Sequence, residues 1–150
     1  MTVAAAVPAK GPGETGEAFM LGRLALVPDL SAALWLPEER TLVVADLHLE
    51  KGSAYAARGV MLPPYDSTAT LAALAAAIRR HQPARVIALG DSFHDRDAEN
   101  RLAPEMRAGL TAMQQGRDWV WITGNHDPAI SRAMGGESMA EIVIANVTLR

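Results

Sequence analysis

Residues 41–51 read TLVVADLHLEK. The opening TLVVA is continuously apolar apart from its threonine, the pattern of a strand buried on both faces of a parallel sheet. The run then stops at Asp46, takes one spacer and places His48. Residues two apart along extended chain project to the same side, so a carboxylate and an imidazole leave the strand end together. Folding alone gains little from either group there. Taken singly, Asp46 has a plain reading as a turn residue and His48 as a satisfied loop histidine.

Two other segments share this grammar. ARVIALG (84–90) is an apolar strand that ends in Gly90-Asp91, within GDSFHD (90–95). DWVWITG (118–124) is another, followed by Asn125, His126 and Asp127. Helical signals lie between them. A short helix is expected from about Glu50 to Gly59. Asp66 is placed as an N-cap, Leu71, Leu74, Ala75 and Ile78 follow at helical spacing, and Pro83 closes the segment. Pro104 suits a first helical position and Gly116 a C-terminal cap, which predicts a helix from Pro104 to Gln115. Residues 19–27 and 32–36 are expected as two early strands and 141–149 as a last one. The central order of strand, helix, strand, helix, strand makes this an α/β protein with a parallel sheet covered on both faces. Ligands in such sheets bind outside the carboxyl ends of the strands, where all three polar motifs fall.

Composition narrows the function classes. The chain has 150 residues, 49% hydrophobic and 21% charged, enough for one domain with a sizeable core. It has no cysteine, which excludes disulfides, thiolate zinc sites and cysteine nucleophiles, and fits a reducing, cytoplasmic compartment. The formal net charge is −3, so the chain as a whole lacks the basic surface of an electrostatic nucleic-acid binder. No run approaches the roughly 18 apolar residues of a membrane span. Residues 1–17, rich in Pro, Gly and Ala, are expected to form a disordered tail ahead of a domain over 18–150.

The residue types at the three strand ends suit divalent cations. Carboxylate oxygen, imidazole nitrogen and amide oxygen are ligands for manganese or iron, with zinc also accommodated. Asp46 and His48 can hold one ion, Asp91 can bridge two through its two oxygens, and Asn125 can offer a neutral carbonyl oxygen to the second. Two ions about 3.5–4 Å apart form the usual clamp for in-line attack on phosphate. His126 lies beside these ligands, free to protonate or stabilise a leaving oxygen. Asp95 and Asp127 are supporting acids, and Lys51 and Arg96 stand next to the motifs as candidate phosphate contacts. GPGETG (11–16) matches a dinucleotide-binding pattern, but it follows no strand and opens no helix. His81 reads as a helix-terminus residue, and Trp35, Trp119 and Trp121 as core or core edge.

With these residues in place, D-x-H (46–48), G-D-x-x-H-D (90–95) and G-N-H-D (124–127) resemble the calcineurin-like metallophosphoesterases. The resemblance implies a sandwich of mixed β-sheets flanked by helices. It implies a dinuclear centre with ligands at Asp46, His48, Asp91 and Asn125, and a leaving-group or transition-state role for His126. VVADLHLEKGS (43–53), LPPYD (62–66) and GDSFHD together resemble the bacterial DNA-ligase-associated members. That narrower likeness implies manganese-dependent phosphodiesterase and DNA endonuclease activity in DNA repair, with ligase and helicase partners. GDSFHD is also similar to the motif of double-strand-break repair nucleases, in which the histidine aids catalysis. A catalytic role for His94 is carried over on that basis.

The family pattern continues with a further histidine and a G-H-x-H motif, whereas this chain has four histidines and none after His126. The chain is therefore expected to be the N-terminal part of a domain of about 200 or more residues, with an incomplete second sheet. The leading expectation is a two-metal phosphodiester hydrolase acting on DNA. The alternatives are a small-molecule or nucleotide phosphodiesterase or phosphatase of the same fold, or a catalytically incomplete binding module.

Overall fold

The apolar run at 41–45 is buried on both sides. Leu42 and Val44 join one hydrophobic core and Val43 joins another. A computed structural model of the chain describes residues 15–60, 66–94, 97–123, 130 and 132–150, with Asp66 described by its backbone alone.

Strands β1 (Phe19–Leu21), β2 (Leu24–Pro28), β3 (Leu34–Leu36) and β4 (Thr41–Ala45) pair antiparallel in succession. From β4 the sheet turns parallel through β5 (Arg85–Leu89), β6 (Asp118–Ile122) and β7 (Glu137–Met139). The result is one seven-stranded mixed sheet in sequence order. Helices α1 (Lys51–Ala57) and α2 (Asp66–His81) connect β4 to β5, and α3 (Ala98–Arg101) and α4 (Pro104–Gln114) connect β5 to β6. Strands β8 (Ile142–Ile144) and β9 (Val147–Leu149) form a separate two-stranded sheet. This is the expected fold class, a mixed sheet flanked by helices with a smaller second sheet.

Each central strand alternates its side chains between two layers. Leu42, Val44, Val86, Ala88, Trp119 and Trp121 meet Leu71, Leu74, Ala77 and Ile78 of α2 and Leu110 of α4. Val43, Ile87, Val120 and Ile122 face the other way, against Ile142, Ile144, Val147 and Leu149 of the hairpin. Burial on both faces explains why these strands read as continuous apolar runs. Trp119 and Trp121 are core residues, as expected; their ring centroids lie 5.5 Å apart. Trp121, fully buried, donates its indole N–H to the Gly135 carbonyl at 2.9 Å.

Two expected strands prove to be hairpins. Residues 19–27 are broken at Gly22-Arg23, where Gly22 takes a φ of 63°, and the register folds Leu21 onto Leu24. Residues 141–149 split at Ala145-Asn146, with φ of 46° and 67°, and Ile144 pairs with Val147. Two residues of positive φ give the tight turn whose twist matches antiparallel strands. An alanine in that turn hides it in an apolar run. At the amino-terminal side, Thr15 bridges to Asp29 and the Gly16 N–H donates to the Pro28 carbonyl at 2.7 Å, so these two residues of the expected tail segment are paired.

His81 closes α2 in a buried polar cluster. Asp29 accepts hydrogen bonds from the Ser31 backbone N–H at 2.8 Å and from Arg80 at 2.6 Å, and its Oδ2 lies 2.7 Å from His81 Nε2. The imidazole stacks on Trp35 with centroids 4.9 Å apart. Burial by itself would raise the Asp29 carboxyl, but hydrogen bonds from Ser31, His81 and Arg80 outweigh it and hold the group far below the usual carboxylate range. The cluster ties the β2–β3 turn to the end of α2.

Candidate metal centre

The parallel register aligns the strand ends. Ala45 pairs with Leu89 and Leu89 with Ile122, so the chain leaves β4, β5 and β6 at one level of the sheet edge. Asp46 follows β4 directly, and Asp91 follows β5 after Gly90. Ligand atoms of Asp46, His48 and Asp91 all lie within 4.8 Å of one another, with both aspartates exposed and the histidine half-buried. Metal–ligand distances of about 2.0–2.2 Å put opposite donors near 4.3 Å apart, so small side-chain adjustments would gather all three onto one ion. Two carboxylates and an imidazole are a donor set that suits manganese, iron or zinc.

The backbone builds this cluster at a conformational cost. Asp46, His48 and Asp91 have φ of 53°, 46° and 45°, and Gly90 and Glu50 are left-handed at 46° and 66°. Asp and His are among the residue types enriched there, which helps explain why the chain uses them. For residues other than glycine such positions cost about 1–3 kcal/mol each and persist where their surroundings over-determine them. Here the surroundings are main-chain bonds. His48 N–H donates to the Asp91 carbonyl at 2.9 Å, Leu49 N–H to the Ser92 carbonyl at 3.0 Å, and His94 N–H to the Leu49 carbonyl at 3.1 Å. The two ligand loops thereby continue the parallel pairing past the strands, with Leu49 bridged to Phe93.

His94 is carried by this same ladder, and its ring lies 5.8 Å from that of Tyr55 on α1, tilted by 34°. Lys51 opens α1, with its backbone N–H donating to the His48 carbonyl at 3.2 Å. Asn125, His126 and Asp127, and also Asp95 and Arg96, lie outside the described residues. Sequence reasoning missed Glu50 and Ser67. Glu50 is buried, and its backbone N–H donates to the Ser67 hydroxyl at 2.8 Å. A glutamate at the expected start of a short helix reads as an exposed first-turn residue, and no local signal reveals its buried N–H.

A mixed sheet with oxygen and nitrogen donors gathered at the carboxyl ends of adjacent parallel strands defines an α/β protein with a candidate metal site at its sheet edge. A model of the calcineurin-like phosphoesterase family matches residues 39–145. The chain belongs to this family, whose chemistry is metal-dependent phosphoester hydrolysis. Among solved structures it is similar to that titled as the nuclease MPE of Pseudomonas putida. The TM-score is 0.65 and the identity 25%, over 86% of this chain and 61% of that one. The chain thus spans less than two thirds of that nuclease. No curated protein matches it. Among the described residues, no helix is long and apolar enough to cross a membrane.

Proposed function

We propose that the protein is a two-metal phosphodiesterase that cleaves DNA, working in the cytoplasm in DNA repair. The observation that carries this reading is the convergence of Asp46, His48 and Asp91 within 4.8 Å at the edge of a phosphoesterase-family sheet. The likeness to a protein titled a nuclease supports a nucleic-acid substrate. The motifs shared with ligase-associated members favour manganese and a ligase or helicase partner.

When bound, the ions would supply Lewis acidity to the phosphate and lower the pKa of the attacking water. Asp46, His48 and Asp91 would hold them, with Asn125 offering its carbonyl oxygen to the second ion. His126 is assigned proton delivery to the leaving oxygen and His94 an assisting role, with Asp95 and Asp127 in support. Lys51 and Arg96 flank the ligand motifs and would take phosphate oxygens.

A net charge of −3 favours a second reading, a small phosphodiester or nucleotide substrate that needs no broad basic surface. One comparison separates the two. Manganese-dependent cleavage of single-stranded DNA and of a chromogenic diester is measured across a salt series, with Asp91→Ala as control. A DNA enzyme cleaves DNA with a steep loss as salt rises. A small-substrate enzyme turns over the diester with little salt dependence and leaves DNA intact. Activity unchanged in Asp91→Ala would refute the site in both.

A further inference from the structure

Three consecutive amides leave the ligand loop toward fixed acceptors. His48 and Leu49 donate to the backbone carbonyls of Asp91 and Ser92, at 2.9 and 3.0 Å. Glu50, next in line, donates to a side chain, the Ser67 hydroxyl at 2.8 Å. Glu50 is 8% exposed and Ser67 4%, so water offers this amide no substitute acceptor. Glu50 is also left-handed, at φ 66°, and unlike Asp or His its residue type has no leaning toward that region. Its carbonyl is held in turn by the Ser53 hydroxyl at 2.9 Å and the Ala54 N–H at 3.0 Å.

Ser67 sits in the first turn of α2. Four residues further on, that helix begins to enter the core through Leu71, and it continues through Leu74, Ala77 and Ile78. The hydroxyl therefore references the ligand loop to the core. We propose that Ser67 is a positioning residue of the metal centre: by accepting from Glu50 N–H it fixes the left-handed turn that carries His48. This rests on the metal reading above. Groups that orient metal ligands typically change affinity by about 10–100-fold when removed.

The test compares the wild-type chain with Ser67→Ala, Ser67→Cys, Ser67→Thr and Asp91→Ala. Manganese binding is followed through the electron spin resonance of free Mn2+, and exchange of the Glu50 amide is followed by NMR without metal. Ser67→Ala is expected to weaken Mn2+ binding about tenfold and to speed exchange at Glu50, and Ser67→Thr, which keeps the hydroxyl, to restore both. Ser67→Cys, similar in size but a poor acceptor, is expected to follow Ala and stands in should Ala fail to fold. Wild-type binding that Asp91→Ala abolishes and both Ser67→Ala and Ser67→Cys leave unchanged would overturn this proposal alone, whatever happens to the melting temperature. A wild-type chain that takes up no Mn2+ would overturn the metal reading and this one with it.

Discussion

The backbone N–H of His48 donates to the backbone carbonyl of Asp91 at 2.9 Å. Two candidate ligands 43 residues apart in sequence are thus joined through main chain. The main-chain frame that brings them together is consequently set by sheet pairing.

Asp46→Asn is expected to separate function from folding, whereas His48→Ala removes a candidate ligand and also places alanine in a left-handed position. Loss of a direct ligand should reduce metal-dependent hydrolysis by about a hundredfold or more, beyond what loss of an orienting partner costs. Asp46 is exposed, so Asp46→Asn should move stability by no more than about 0.5 kcal/mol. Turnover and urea melts on the same samples check both statements.

Asp29 should govern stability in acid. Its folded pKa lies far below the unfolded value of about 3.9, so ionised Asp29 stabilises the fold above that pH. The contribution declines as pH falls below about 4 toward the folded value. Asp29→Ala leaves Arg80 and His81 without their carboxylate and should cost about 3 kcal/mol at pH 7. The gap from wild type should narrow steadily between pH 4 and pH 2. Denaturant melts across pH give the measurement, and a gap independent of pH would contradict the assignment.

Gly136 and Gly22 should respond differently to alanine. Both have positive φ, 75° and 63°. A Cβ on Gly136 would meet the Trp119 carbonyl at 2.7 Å, whereas one on Gly22 meets nothing within 4 Å. Gly22→Ala should cost about 1 kcal/mol from backbone strain alone, and Gly136→Ala about 2–3 kcal/mol or more as β7 is pushed from β6. Equal costs in urea titration would rule out the steric explanation.

Trp121→Phe keeps an aromatic ring in the core but removes the donor to the Gly135 carbonyl. The half-buried carbonyl loses its partner and a small void opens in the core, so a loss of about 2 kcal/mol is expected. Calorimetry, with near-ultraviolet dichroism reporting Trp119–Trp121 packing, would show it.

The sequence by itself determined the parallel core and the placement of polar residues at its rim. TLVV, VIAL and WVWI are apolar because both faces are covered, and each run ends where cover ends. Pro104 and the spacing of Leu71, Leu74 and Ile78 marked the long helices for equally local reasons. Tertiary structure alone decided the rest. Whether Asp46 and Asp91 meet depends on β4 and β5 being neighbours in register, a contact between distant segments that no local pattern encodes. The Ala145-Asn146 turn escaped because its residues adopt positive φ to lay an apolar hairpin over Val43, Ile87 and Val120. Glu50 and Ser67 escaped because a backbone N–H has no signature in sequence: its need for an acceptor arises only when folding takes water away.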